Sequence, residues 1–155
     1  MTTLDDFDRL LREQRHLAVV STLRADQSIH SSVVNLAVMP HPTTGTPVAA
    51  FVTYGRVKLA NLRARPQLTV TARSGWTWAA HDGTAELIGP DDPHPAFDAE
   101  GIRLLLREIY TAAGGIHDDW QAYDRTMAQE RRTAVLVRPH RTYGVIGADG
   151  ASPEA

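Results

Sequence analysis

Apolar residues recur along this chain with two periods, and the switches between them mark out its elements. Leu4, Phe7, Leu10 and Leu11 return at helical spacing behind Thr3, a good N-cap, with Asp5 and Asp6 in the favourable first turn. That spacing predicts an amphipathic helix lying on the rest of the fold as a lid. From His16 to Leu23 the run Leu-Ala-Val-Val-Ser-Thr-Leu is β-rich, and it breaks at the polar turn Arg24 to Gln27. Ile29 to Met39 then alternates loosely, with Ser32, Val34 and Leu36 on one face and Ser31, Val33 and Asn35 on the other. The turn-rich loop Pro40 to Pro47 leads to a third strand, Val48 to Thr53.

Two further strands, Gln67 to Arg73 and Trp76 to Ile88, flank the turn at Ser74-Gly75. Gly83, inside the second of them, predicts a bulge or bend. Ile102, Leu105, Leu106 and Ile109 predict a helix from about Phe97 to Ala113, stopped by Gly114-Gly115. A shorter helix, Asp119 to Gln129, is expected with Asp118 as its cap and Trp120, Tyr123 and Met127 on one side. Thr133 to Val137 and Thr142 to Ile146 read as two closing strands separated near Pro139. Six or seven strands with helices set among them suit a mostly β, α+β fold built on a closed antiparallel barrel, not repeated βαβ units.

Bulk numbers narrow the partners. The 155 residues make one domain, expected over 1–146, with a small polar tail from Gly147 expected to be disordered. A net charge of −2 and a pI near 6.4 give no nucleic-acid footprint. No apolar run is long enough to span a membrane, and the acidic N-terminus is no signal peptide. Cysteine is absent, which removes disulfide and thiolate chemistry and is compatible with a reducing cytoplasm, the expected location. Seven histidines raise the question of a metal, but none forms His-x-x-x-His or His-Glu-x-x-His, so no metal site is expected. No Gly-x-Ser-x-Gly elbow supports a serine hydrolase.

The chemistry concentrates in Thr53 to Pro66, Thr-Tyr-Gly-Arg-Val-Lys-Leu-Ala-Asn-Leu-Arg-Ala-Arg-Pro, which reads as a strand end, a glycine turn and a short helix. Gly55 permits a sharp turn, and Pro66 ends the helix by biasing Arg65 away from helical angles. Leu59 and Leu62 can share a buried face, while Arg56, Lys58, Arg63 and Arg65 are expected to keep their charges in water. Two cations in the first turn oppose the helix dipole unless an anion sits there too. Free amides at the helix start beside Arg56 and Lys58 would suit a phosphate. By spacing alone, an ordinary solvated basic helix is the simpler reading.

This stretch resembles the Gly-Arg-x-Lys-x-x-Asn-Leu-x-x-x-Pro signature of the FMN-binding split-barrel proteins, relatives in fold of pyridoxamine phosphate oxidases. Within them it is most similar to the actinobacterial class that uses the deazaflavin coenzyme F420. The likeness runs through Ser21-Thr22-Leu23-Arg24-Ala25-Asp26, Gly75-Trp76-Thr77-Trp78, Asp119-Trp120-x-x-Tyr123, Glu130-Arg131-Arg132 and Thr142-Tyr143-Gly144, covering most of residues 4–146. It implies a homodimer with the cofactor in a groove at the interface. Arg56 and Lys58 would hold the cofactor phosphate, with Thr53 as the strand-end hydroxyl. Asn61 matches the family asparagine, whose other role is to satisfy backbone groups between helix and strand. Ser32 and His30 would lie on the strand that runs along the cofactor ring, His30 otherwise being a solvent-exposed strand residue. Trp76 and Trp78, two apart on one strand face, would be core or interface residues, Trp76 also nearing the partner subunit's cofactor. Arg63 and Arg65 could meet the polyglutamate tail of a deazaflavin.

Three functions follow from the resemblance. The first is an F420-dependent oxidoreductase passing hydride to a small unsaturated or tetrapyrrole-like acceptor. The second is an FMN-dependent oxidase of the pyridoxamine phosphate class, against which Arg141-Thr142-Tyr143-Gly144 lacks the Arg-x-His substrate segment of those oxidases. The third is a non-enzymatic flavin- or haem-binding protein on the same scaffold. Substrate and acid–base residues are not legible at this level, because in such proteins the cofactor carries the chemistry.

Overall fold

Six strands close on themselves in the order β1-β2-β3-β6-β5-β4, every neighbouring pair antiparallel. They are β1 (Leu17–Leu23), β2 (Ile29–Pro40), β3 (Pro47–Thr53), β4 (Gln67–Ser74), β5 (Thr77–Ile88) and β6 (Thr133–Val145). Four helices complete the fold: α1 (Leu4–Glu13), α2 (Arg56–Ala64), α3 (Ala99–Ala112) and α4 (Trp120–Gln129). The computed structural model describes residues 1–147; the expected polar tail falls, apart from Gly147, outside them.

The barrel interior is apolar, with Val20, Leu36, Phe51, Val70 and Val135 fully buried. Because β1 and β3 run in the same direction, the start of β1 and the end of β3 lie at opposite ends of the barrel. α1 precedes β1 and covers the first end with Phe7, Leu10 and Leu11, which makes it the expected lid. Thr3 and Asp6 form a reciprocal capping box at its start, at 3.2 and 2.9 Å. α2 follows β3 and plugs the other end with Leu59 and Leu62. Outside the barrel, Leu105, Leu106 and Ile109 of α3 cover Met39, Ala50 and Leu136 in a second core.

Several boundaries differ from the sequence expectation. The two closing strands are one, β6, running through Pro139. β3 stops pairing with β6 at Val137, so beyond that point one edge of β6 is free to take a residue without an N–H. The expected bulge is real: Asp82 faces Arg141 while Gly83 faces Pro139, which leaves His140 as the extra residue. A side chain at Gly83 would meet the Arg138 carbonyl oxygen at 2.4 Å, so close backbone approach explains this glycine. Asp119, not Asp118, caps α4, its carboxylate accepting from the Ala122 amide at 3.0 Å. Trp76 sits in the β4–β5 turn, 64 % exposed, so it does not share a strand face with Trp78. Trp78 instead meets Tyr143 edge-on, ring centres 6.1 Å apart.

Candidate functional site

The end of β3 and the first turn of α2 build a cationic cradle at the plugged end of the barrel. Thr53 is buried, and its hydroxyl accepts from the Gly55 amide at 3.1 Å. Gly55 is the N-cap of α2 at φ −65°, an angle open to any residue. No special dihedral therefore requires the glycine. A Cβ there would stand 3.4 Å from both Lys58 Cε and Thr53 Oγ1 and would fill the cradle. Among the described residues no side chain caps the helix start, and no acidic residue lies in its first turn, so the amides that open α2 are left unmet.

Lys58 departs from the sequence expectation. It is 7 % exposed, not solvated, and its ammonium donates to Ser32 Oγ at 2.8 Å. Burial pulls its pKa below the ordinary lysine value, with no carboxylate acting against that. An ammonium carries three donors, and one hydroxyl leaves the charge uncompensated. Arg56, the first residue of α2, is exposed and meets no acceptor among the described residues. Two cations, unmet amides and the Thr53 and Ser32 hydroxyls, with no carboxylate among them, fit the phosphate of a flavin-type cofactor.

The other expected residues divide. Asn61 is buried, donating from Nδ2 to Thr22 Oγ1 at 3.0 Å, so it ties α2 to β1. Arg63 is not a free solvated cation: it makes a two-pronged pair with Asp92, 2.9 and 2.7 Å. Arg65 donates to the Leu23 carbonyl at 2.9 Å and helps seat the helix end. His30 is half-buried and not solvent-exposed, with its Nδ1 buried and unpartnered among the described residues. It shares the inward face of β2 with Ser32, two residues on. Trp76, at the opposite end of the barrel in its turn, is not brought to the cradle within one subunit. Among the described residues, no group of three His, Cys, Asp or Glu side chains is placed to hold a metal.

Sequence reading missed Tyr54 and Arg132. The Arg132 guanidinium lies 4.1 Å over the Tyr54 ring, immediately beside Gly55. The signal is the cross-strand pair Thr53↔Thr133, which sets their chain neighbours side by side once the register is known.

A family model described as pyridoxamine 5'-phosphate oxidase matches residues 4–145. The chain belongs to that family. Solved structures with the same fold include three that bear on the pyridoxamine 5'-phosphate oxidase assignment. A conserved protein of Mycobacterium tuberculosis, Rv2991, superposes at TM-score 0.66 with 15% identity, covering 97% of this chain and 96% of its own. A structure named an F420 reductase gives TM-score 0.57 at 17% identity, over 88% of this chain and 95% of that one. An FMN-binding, pyridoxamine 5'-phosphate oxidase-related protein of Nostoc punctiforme PCC 73102 gives 0.58 at 13%, over 92% and 84%. The pyridoxamine 5'-phosphate oxidase family is thus met here as a six-stranded barrel with four helices.

Proposed function

We propose that this protein is an oxidoreductase that uses the deazaflavin coenzyme F420, bound by its phosphate at the start of α2. The observation that carries the reading is Lys58: a buried ammonium beside uncapped helix amides, held by a single hydroxyl. An anion there relieves an uncompensated charge, and a cofactor phosphate supplies one. When bound, a reduced deazaflavin supplies a hydride for a small unsaturated acceptor. The protein's part is to hold and orient it. Lys58, Ser32 and the α2 amides would hold the phosphate, with exposed Arg56 as the second cation.

Similarity to the F420 reductase structure supports the deazaflavin, and the FMN-binding neighbour keeps FMN as the second reading, since both carry the phosphate. Against a pyridoxamine phosphate oxidase reaction, Arg141 is taken by Asp82 at 2.8 Å and Tyr143 stands on the same carboxylate at 3.1 Å. The outer face of β1 and β2 exposes Leu17, Val19, Ile29 and Val33 as an apolar patch. Such a patch favours a homodimer, with the cofactor groove shared between subunits. Side-by-side calorimetric titration with F420 and FMN tests the reading. F420 is expected to bind the more tightly, and failure of both to bind would end it.

A further inference from the structure

A second cavity lies on the outer side of β3, under the α3–α4 hairpin, with a volume of about 420 Å³. Three of its lining residues are rings, Tyr110, His117 and Tyr123. Tyr110 and Tyr123 stand 5.1 Å apart, and His117 lies 5.6 Å from Tyr123. Both phenol hydroxyls are already committed to backbone, Tyr123 to the Leu106 carbonyl at 2.9 Å and Tyr110 to that of Ile116 at 3.2 Å. What they offer a ligand is therefore their π-faces. Burial pushes the Tyr123 hydroxyl up to about 12, so it remains a neutral donor to that carbonyl. On the sheet side the lining is Val52 of β3 with Asn35 of the neighbouring β2, and Met127 of α4 also lines the cavity.

One cation reaches the cavity. Arg132 lines it with its Nε committed to Glu130 at 2.6 Å and its guanidinium carbon 4.1 Å over the Tyr54 ring. Those two contacts fix the guanidinium's position. Its terminal nitrogens meet no acceptor among the described residues, which leaves parallel donors of the kind a carboxylate accepts. His117 accepts the Asp119 amide at Nδ1, 3.0 Å, so its neutral ring carries the proton on Nε2 and adds a donor, not an acceptor.

We propose that this cavity is a binding site for a planar, conjugated carboxylate, with the Tyr110 and Tyr123 rings as its walls and Arg132 as its anion clamp. The volume sits at the small end of ligand sites, about 300–1,000 Å³, and suits a compact fused-ring acid better than a tetrapyrrole. The place is informative as well. Val52 lines the cavity, Thr53 lines the phosphate cradle, and Tyr54 lies under Arg132, so consecutive residues of one strand end join the two sites. That the ligand is the hydride acceptor rests on the cofactor reading above; its selection by planarity and charge does not.

The test is calorimetric titration of the full chain with 2-naphthoate, its neutral analogue 2-naphthamide, and the saturated decalin-2-carboxylate. Naphthoate should bind about tenfold tighter than the amide, the usual worth of one charge-assisted contact, and roughly two- to tenfold tighter than the saturated acid, the worth of an aromatic contact. Arg132→Gln should bring naphthoate down to the amide's affinity, and Tyr110→Leu should remove the preference for the flat ring. Arg132→Lys, which keeps the charge without the fork, should fall between, and it decides the matter if the glutamine variant does not fold. Equal binding of the three probes, or an unchanged order in the Arg132 variants, overturns the site. F420 and FMN titrations on the same proteins separate the two readings. Carboxylate selectivity in a protein that binds neither cofactor sustains the pocket and removes the cofactor, while cofactor binding without selectivity does the reverse.

Discussion

Replacing Lys58 by methionine should move stability and cofactor affinity in opposite directions. In the chain without ligand, the Lys58 ammonium is buried and, among the described residues, has one acceptor, Ser32 Oγ at 2.8 Å, and no carboxylate partner. Methionine keeps much of the packing of the stem and removes the charge. Replacing buried ionic groups by apolar side chains stabilises by about 1–4 kcal/mol. Loss of the Ser32 hydrogen bond offsets about 1 kcal/mol of that. A net gain of about 0–3 kcal/mol raises Tm by up to roughly 6–12 °C in a domain of this size. The effect carries its own pH signature. Burial lowers the folded-state pKa of Lys58 below the ordinary 10.5, so the unfolded chain holds that proton more tightly. Wild-type stability contributed by this group therefore rises as pH climbs from the folded value toward 10.5, and the variant lacks the rise. Affinity goes the other way, because removing one partner of a desolvated charge pair costs about 2–5 kcal/mol, roughly thirtyfold or more in Kd. Thermal melts without ligand and calorimetry with F420 and FMN read both effects. A variant that melts no higher than wild type and binds both cofactors as well would refute the reasoning, and Lys58 would be held for its stem alone.

Four further outcomes are expected. Arg56→Lys should weaken cofactor binding by about tenfold while leaving melts unchanged, since the ammonium keeps the charge but not the two-pronged donor geometry; equal affinities in calorimetry would remove Arg56 from the site. Sedimentation at micromolar concentration should give about twice the chain mass of 17.0 kDa, and Val33→Glu, at a position 64 % exposed on the apolar face, should give the monomer. Asn61→Leu leaves Thr22 Oγ1 without its donor in a buried setting, so urea midpoints should show a loss of about 1–3 kcal/mol. Burial holds the His81 imidazole below its ordinary 6.5, so its contribution to stability is full above that pH and is lost as pH falls from there through the folded value. Urea midpoints at about pH 7.5 and about pH 5 should differ less in His81→Gln than in wild type.

The barrel was legible where one face of a strand is inside and the other outside. Ser32, Val34 and Leu36 of β2 point inward and Ser31, Val33 and Asn35 outward, so the alternation in sequence is the alternation of burial. The helices α1 and α3 carry their buried residues at the spacing that sequence shows, Phe7, Leu10 and Leu11 in one, Leu105, Leu106 and Ile109 in the other. Pro139 misled because a proline ends a central strand but not an edge, and only the register tells that β3 has already let go of β6 there. Trp76 misled for a related reason. A large aromatic after Ser-Gly looks like a strand residue, yet Gly75 adopts φ +59° and the turn takes Trp76 with it before β5 begins.

The candidate site was half legible, and the missing half has one cause. Read from apolar residues alone, α2 has a face of Leu59 and Leu62, and everything charged is assigned to water. Helical geometry says otherwise: positions 58, 59, 61 and 62 form a single stripe, and all four are buried. Lys58 and Asn61 are thus polar residues standing at core positions, and they resolve that conflict differently. Asn61 finds a buried partner in Thr22 and becomes a fastening between helix and barrel. Lys58 finds, among the described residues, one hydroxyl for three donors. A polar group on a buried stripe whose demand is met within the chain is structural. One whose demand is left open, next to unmet helix amides and a glycine that keeps the cradle clear of a side chain, is a group kept for a ligand. The same test could not reach Arg132, whose meaning depends on Tyr54, 78 residues away along the chain and brought beside it only by the pairing of β3 with β6.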